Sequence, residues 1–246
     1  GELAVEAKYK AYDHVAGRNR IRGILNQSDL DYQEKDSLPP RTDLTFSNGF
    51  YANCSALFVD IRKSSELPQK HKRPTLARLY RAFVSEMVAV FASDVDCREI
   101  NIVGDCVWGV FNTPYKTDID GVFSNAAVAN SMVNILNKEL TRKGITNIEV
   151  GFGMSWGRAL MIKVGYEGSG MNDALYMGDV VNAAAKLAAN GNKTWSDRTL
   201  MVSDVFHSNM NDHNKSLLAW NSARNCWHGN VISTDIEEWT TEQYES

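Results

Sequence analysis

Two apolar segments of this chain each run into an aspartate, and this feature restricts the fold more than any other. Residues 54–61 (CSALFVDI) have the pattern of a short buried strand that carries Asp60 near its end. Strands are also predicted over 99–103 and 106–111, with Asp105 in the tight turn between them. Because adjacent antiparallel strands bring a strand end close to a neighbouring turn, we expect the two carboxylates to converge.

The periodicity of the other segments predicts an α+β fold, with a mostly antiparallel sheet covered by helices on one face. Helical spacing extends over residues 3–26, 75–92, 118–143 and the later part of 176–187. Two further strands are predicted, one on each side of Gly157. A polar segment with two adjacent prolines indicates a connecting loop. We therefore predict an N-terminal helix and loop over 1–50 and one main domain over 51–246.

Charge and apolar patterning exclude several classes of partner. The chain has 26 basic and 30 acidic residues, a net charge of −4, with both signs interspersed, so we expect no binding of a nucleic-acid polymer. No apolar run approaches the roughly 20 residues that cross a bilayer, and no leader pattern is present, so we expect a soluble, cytoplasmic protein. The four cysteines have no metal-ligand spacing and read as core residues.

A converging pair of aspartates has a specific chemistry. Two carboxylates held close together repel each other unless a cation joins them, and oxygen-only ligation suits Mg²⁺ or Mn²⁺. Such a site can activate an oxygen nucleophile and neutralise phosphate charge. A single aspartate at a strand end is more often a turn or cap residue. Taken separately, Asp60 and Asp105 are each open to that purely structural interpretation.

Three blocks of the sequence resemble the signature motifs of class III nucleotide cyclases: FVDIRKSS (58–65), NIVGDCVWGVF (101–111) and YMGDVVNAAAKL (176–187). Their order and separations are also similar to those of the family, over roughly residues 52–205. The resemblance implies a ferredoxin-like cyclase fold, with the domain over 51–246 as the catalytic domain. It also implies a lyase that converts a ribonucleoside triphosphate into its 3′,5′-cyclic monophosphate and pyrophosphate.

The resemblance further implies a role for each site residue. Asp60, Asp105 and the backbone carbonyl of Ile61 would hold two divalent ions, Mn²⁺ or Mg²⁺. Asn182 would orient the ribose, and Lys186 stands where the family has a transition-state arginine. The phosphates would bind to the backbone of the turn formed by Arg62, Lys63, Ser64 and Ser65. Since the family places the acids and the Asn-bearing helix on different subunits, the resemblance implies a homodimer with two interfacial sites.

Lys186 departs from the family pattern. A lysine keeps the positive charge but loses the planar fork that binds phosphate through two hydrogen bonds. Either Lys186 sustains activity, or another cation replaces the arginine, or Lys186 is an ordinary exposed helix lysine. The other cations nearby in sequence are Arg62, Lys63, Arg158 and Lys163.

The base-recognition positions depart as well. Family members that select adenine typically carry Lys and Asp or Thr where this chain has Asn101 and Leu175, and those that select guanine carry Glu and Cys or Ser. The chain therefore looks like the pyrimidine cyclases of bacterial Pycsar anti-phage systems. Neither Asn101 nor Leu175 is a carboxylate that could accept a hydrogen bond from the cytosine amino group. UTP is therefore favoured over CTP as the substrate. Trp108 and Tyr51 are either aromatic walls of the base pocket or strand core.

Three alternatives stay open. The chain could be an adenylate cyclase with an atypical base pocket. It could be a catalytically inactive module that binds nucleotide and regulates a partner, which Lys186 favours. A polymerase-like palm domain shares the arrangement of acids on a hairpin, but the chain has no GG[DE][DE]F-like turn.

Overall fold

The computed structural model describes residues 9–168, 170 and 172–244. The chain divides into two compact units: unit one comprises residues 1–53 and 158–178, and unit two comprises 54–157 and 179–246. The predicted division at residue 50 lies near the end of the first segment of unit one. Residues 158–178 also belong to unit one, and the division into 1–50 and a catalytic domain over 51–246 stays a prediction.

Nine strands and eight α-helices are present in the described residues. The strands are β1 (Tyr32–Glu34), β2 (Gly49–Ile61), β3 (Cys97–Val103), β4 (Cys106–Asn112), β5 (Val150–Gly165), β6 (Asn172–Met177), β7 (Leu200–Val202), β8 (Ala219–Asn221) and β9 (Cys226–Gly229). The helices are α1 (His14–Leu25), α2 (Leu67–Lys70), α3 (Arg73–Ala92), α4 (Lys116–Arg142), α5 (Asp179–Ala188), α6 (Asp204–Asn209), α7 (Asp212–Ser216) and α8 (Thr234–Tyr244).

The sheet of unit two has the strand order β3-β4-β2-β5-β7-β9-β8. The β2/β4, β3/β4, β7/β9 and β8/β9 pairs are antiparallel, and the β5/β7 pair is parallel. In unit one, β1 pairs parallel with the start of β2, and β6 pairs antiparallel with the end of β5. The predicted α+β fold with a mostly antiparallel sheet is confirmed.

One face of the unit-two sheet packs against the long helices α3 and α4. Leu57, Val59 and Phe152 point to this face and share one hydrophobic core with Phe83 of α3 and Phe123 of α4. All five side chains are almost fully buried. Burial of large apolar side chains, at about 25 cal/mol per Å² of apolar surface, is the main stabilising contribution of this layer.

Helix α5 lies on the opposite face, which differs from the prediction of helices on one face. Successive strand residues alternate between faces, so Gly151 and Gly153 point away from the core that contains Phe152. A Cβ atom on Gly153 would meet the carbonyl oxygen of Ala184 at 2.0 Å, and one on Gly151 would meet that of Ala188 at 2.4 Å. The missing side chains therefore allow the α5 backbone to lie directly against β5.

Two element boundaries also differ from the prediction. Gly157 does not end a strand, because β5 runs unbroken through it; a Cβ there would meet Val180 of α5 at 3.1 Å. The N-terminal helix begins at His14, where the Asp13 side chain accepts from two backbone N–H groups, and the first six residues of the predicted helix, 3–8, lie outside the described residues.

Candidate active site

Asp60 and Asp105 lie together at one end of unit two. Asp60 on β2 is the register partner of Cys106 on β4, and Asp105 immediately precedes Cys106. The turn between β3 and β4 is tight because Gly104 adopts a positive φ of 62°. Burial raises the pKa of Asp60, the Arg62 guanidinium lowers it, and the negative charge of Asp105 raises it, with a net upward shift.

The donors at this point fit a hard divalent cation. The described residues contain no cluster of three or more His, Cys, Asp or Glu side chains suited to a metal. The candidate protein ligands are those that the resemblance implies, namely Asp60, Asp105 and the Ile61 carbonyl. Burial, together with the charges of Asp60 and Asp105, raises the pKa of the neighbouring Cys106 thiol to about 12. Cys106 therefore stays protonated at neutral pH, and the oxygen-only set suits Mg²⁺ or Mn²⁺.

Arg62 has a contact pattern that sequence reasoning missed. Its Nη2 donates to Oδ2 of Asp60, and its Nη1 donates to the carbonyl oxygen of Ala189 over 2.7 Å. Its backbone N–H donates to the carbonyl oxygen of Glu149 over 2.7 Å. In this structure Arg62 is thus occupied by protein partners, through both its side chain and its amide.

The rest of the predicted phosphate turn has an irregular backbone. Lys63 adopts a left-handed conformation, with a φ of 53°, and Ser64 and Ser65 then begin a 3₁₀ turn that ends at Glu66. Backbone N–H groups in the first turn of a helix lack intrahelical acceptors. The role of this turn in binding phosphates stays a prediction.

Asn182 and Lys186 lie on the exposed side of α5. They are four residues apart and so on one side of the helix, whereas Val180, Ala184 and Ala188 form its buried side. Alternating glycines in GFGMSWG (151–157), with alanines four apart on the helix, are the sequence signal that could have placed α5 on β5. Because Asn182 and Lys186 are exposed, their side chains are accessible to another chain.

The predicted base-recognition residues fall in different units. In unit two, Asn101 on β3 is the register partner of Trp108 on β4, and Trp108 is the partner of Phe58 on β2. The Trp108 and Phe58 rings stack with centroids 5.0 Å apart, on the same sheet face as Asp60. In unit one, Leu175 on β6 pairs with Ile162 and is 45% exposed.

Most of the other candidate cations are engaged. In unit one, Arg158 forms an ion pair with Glu34 and stacks over the Tyr51 ring at 3.9 Å, and Lys163 lies 4.9 Å from the centre of the Phe46 ring. Lys63 is exposed. Lys63 and Lys186 are thus both exposed, and Lys186 is the cation that α5 carries beside Asn182.

The sequence is similar to those of known proteins. The sequence profile of the adenylate and guanylate cyclase catalytic domain matches residues 47–217. The chain is 42% identical over 208 residues to a uridylate cyclase of Treponema porcinum (85% of this chain, 72% of the relative). It is 40% identical over 216 residues to a uridylate cyclase of Gulbenkiania mobilis (83% of this chain, 82% of the relative).

The fold is likewise similar to solved cyclase structures. The adenylyl cyclase CyaB from P. aeruginosa superposes with a TM-score of 0.59 at 21% identity, covering 70% of this chain and 85% of that one. Within the described residues, no helix combines the length and apolar character needed to cross a membrane. With the profile match extending over most of the sequence, the chain belongs to the class III family of adenylate and guanylate cyclase catalytic domains.

Proposed function

We propose that this protein is a uridylate cyclase, which converts UTP into 3′,5′-cyclic UMP and pyrophosphate. The observation that carries the proposal is the 40–42% identity to two uridylate cyclases over more than four fifths of the chain. The pairing of Asp60 with Asp105 supports it, because a cyclase needs both acids to bring cations to the triphosphate. A cytoplasmic location and a role of the cyclic nucleotide in anti-phage defence stay predictions.

In the proposed mechanism, Asp60, Asp105 and the carbonyl of Ile61 hold the divalent ions, two in number and either Mn²⁺ or Mg²⁺. When bound, such ions lower the pKa of the ribose 3′-hydroxyl and neutralise triphosphate charge. The chain's own contribution is positioning: the 3′-oxygen must lie in line with the α-phosphorus and the departing pyrophosphate. Because the Arg62 N–H already donates to the carbonyl oxygen of Glu149, the backbone N–H groups of Lys63, Ser64 and Ser65 would bind the phosphates.

The proposed site is completed by a second copy of the chain. Asn182 of the partner subunit would hydrogen-bond the ribose, and Lys186 of the partner subunit would supply positive charge to the phosphates. The exposure of both residues on α5 supports this arrangement, because neither is used within its own chain as a buried group. A symmetric homodimer then has two equivalent sites.

Selection of uracil would depend on Asn101 of unit two, because an asparagine can donate to and accept from the uracil edge. A role of Leu175 in base recognition stays a prediction. The half-buried Trp108, the register partner of Asn101, would limit the room for a purine if the base binds beside Asn101. Each lost contact or clash of this kind is worth about 1–3 kcal/mol of discrimination.

A product assay tests the proposal. The purified protein is incubated with Mn²⁺ and each of the four ribonucleoside triphosphates, and the products are identified by mass spectrometry. Cyclic UMP is expected as the main product. Predominant cyclic AMP or cyclic CMP would overturn the uridylate assignment. Absence of any cyclic product would favour the inactive regulatory module, for which Lys186 in place of arginine is the supporting observation.

A further inference from the structure

Arg62 joins two groups that the proposed mechanism assigns to different active sites. Through Nη2 it donates to Asp60, a proposed metal ligand, and through Nη1 it donates to the carbonyl oxygen of Ala189 over 2.7 Å. Ala189 directly follows α5, the helix that carries Asn182 and Lys186. One guanidinium therefore contacts the acid of one site and the helix that would complete the other site.

The surroundings of Arg62 show that these contacts hold it in place. Its side chain is only 11% exposed, and its Nε is buried with no hydrogen-bond partner among the described residues. A buried charge is costly unless it is paired, so the guanidinium depends on its two Nη contacts. Carbonyl groups at a helix C-terminus lack intrahelical donors, and an arginine there is a favourable partner.

A cation bound at Asp60 would change the contacts of the Arg62 guanidinium. Arg62 donates to one carboxylate oxygen, Oδ2, so a bound cation must share Asp60 with the guanidinium. Two positive charges on one carboxylate repel each other, and the Arg62–Asp60 contact weakens. Because the same side chain donates to Ala189, the change reaches the end of α5. The helix cannot relax toward the sheet, since Gly151 and Gly153 already contact its backbone.

We propose that Arg62 is a positioning residue that couples metal occupancy at Asp60 to the placement of α5, and so couples the two active sites of the dimer. The inference rests on the proposed function, because only a dimer with interfacial sites makes α5 of one chain part of the other chain's site. Arg62 thereby transmits the state of one site to the residues that serve the second.

Hydrogen exchange of the nucleotide-free protein, with Mn²⁺ alone as the probe, tests the first half of this coupling. The amides of Ala189, Asn190 and Gly191 donate within the end of α5 and report on its stability. In the wild type, Mn²⁺ is expected to speed their exchange roughly tenfold, the equivalent of one charge-assisted hydrogen bond. Arg62→Gln should remove the response, Arg62→Lys should restore part of it, and the exposed-arginine control Arg78→Gln should leave it unchanged.

An equal Mn²⁺ response in Arg62→Gln and wild type would overturn the proposal. Circular dichroism of both Arg62 variants shows whether they fold. If Arg62→Gln does not fold, Arg62→Lys decides the question: an ammonium lacks the planar fork with which the guanidinium reaches both partners, so its response should be smaller than that of the wild type, and an equal response would overturn the coupling.

Mixed dimers test the second half. An Asp105→Ala chain paired with an Asn182→Ala chain has one complete site, formed by the acids of the second chain and α5 of the first. Arg62→Gln is then introduced into the Asp105→Ala chain. The one complete site does not use the acids of that chain, so the substitution can act on the site only through α5. Turnover is expected to fall roughly tenfold or more, because small displacements of positioning groups are costly. Unchanged turnover would overturn the coupling, whereas an inactive mixed dimer without Arg62→Gln would instead contradict the interfacial site.

Discussion

Asp60 on β2 and Cys106 on β4 are directly opposite each other in the sheet, so the residue before Cys106, Asp105, lies beside Asp60. This register explains how two acids far apart in the sequence reach one point. It also accounts for the electrostatics there, because the charge of Asp105 raises the pKa of Asp60, and both carboxylates, together with burial, raise the pKa of the Cys106 thiol.

Removal of either acid should abolish turnover and leave the fold intact. We expect Asp60→Ala and Asp105→Ala to lower the rate of cyclic nucleotide formation by at least about a thousandfold, since stabilisation by metal ions is worth several kcal/mol. Product formation is measured by mass spectrometry, and thermal melting verifies folding. The matched control is Asp31→Ala, an exposed acid of unit one, which should retain wild-type activity. Wild-type turnover in either site variant would contradict the metal assignment.

Lys186 offers a second test, because the family has arginine at its position. Lys186 is exposed on α5, so its replacement should not affect stability. Lys186→Ala is expected to reduce kcat by at least about tenfold, because positive charge at the phosphates is lost. Lys186→Arg is expected to have a kcat equal to or above that of the wild type, because a guanidinium binds phosphate with two hydrogen bonds. Equal kcat values in Lys186→Ala and wild type would remove Lys186 from the site.

The close packing of α5 on β5 predicts a large effect of one added methyl group. A Cβ atom at position 153 would meet the carbonyl oxygen of Ala184 at 2.0 Å and the amide nitrogen of Ala188 at 2.2 Å, and neither backbone atom can move aside easily. Gly153→Ala should therefore lower the free energy of unfolding by about 3 kcal/mol, the upper end for overpacking.

The matched control for this substitution is Gly23→Ala in α1. A Cβ atom there would meet nothing within 4 Å, and alanine is the better helix former by roughly 0.5–1 kcal/mol. Urea unfolding of both variants gives the comparison. A Gly153→Ala protein as stable as the wild type would show that α5 does not lie as close to the strand as described.

The acid pair and the α5 side chains could be predicted from the sequence, whereas their connection could not. Strand and turn patterns place Asp60 beside Asp105, and a spacing of four places Asn182 and Lys186 on one side of a helix. The alternating glycines of β5 mark a sheet face that a helix can approach closely, but they do not identify which helix residues contact Gly151 and Gly153. The partner of Arg62 is a backbone carbonyl, a group present in every residue, so no sequence pattern marks it.

The loop that leads from α5 to β7 contains a buried aspartate, Asp197, in an ion pair with the half-buried Arg224, and this predicts a pH-dependent contribution to stability. Arg224 donates to both carboxylate oxygens of Asp197, over 3.1 and 2.8 Å, and the Thr194 hydroxyl donates to the same carboxylate over 2.7 Å. The hydrogen bonds from Arg224 lower the pKa of Asp197 from 3.8 to about 2. A folded-state pKa below the ordinary value means that the ionised form favours folding. The stabilisation is fully present above the ordinary pKa and is lost as the pH falls toward 2.

We therefore expect Asp197→Asn to lower the free energy of unfolding by about 2 kcal/mol at neutral pH, and the difference from the wild type to shrink as the pH falls below about 4. Urea unfolding of both proteins at a series of pH values measures it. Asp212→Asn is the control, because its carboxylate is fully exposed and lies 3.9 Å from Lys215, and such surface pairs contribute little. A difference between Asp197→Asn and wild type that stayed constant down to the lowest accessible pH would show that Asp197 acts through packing of the loop rather than through its charge.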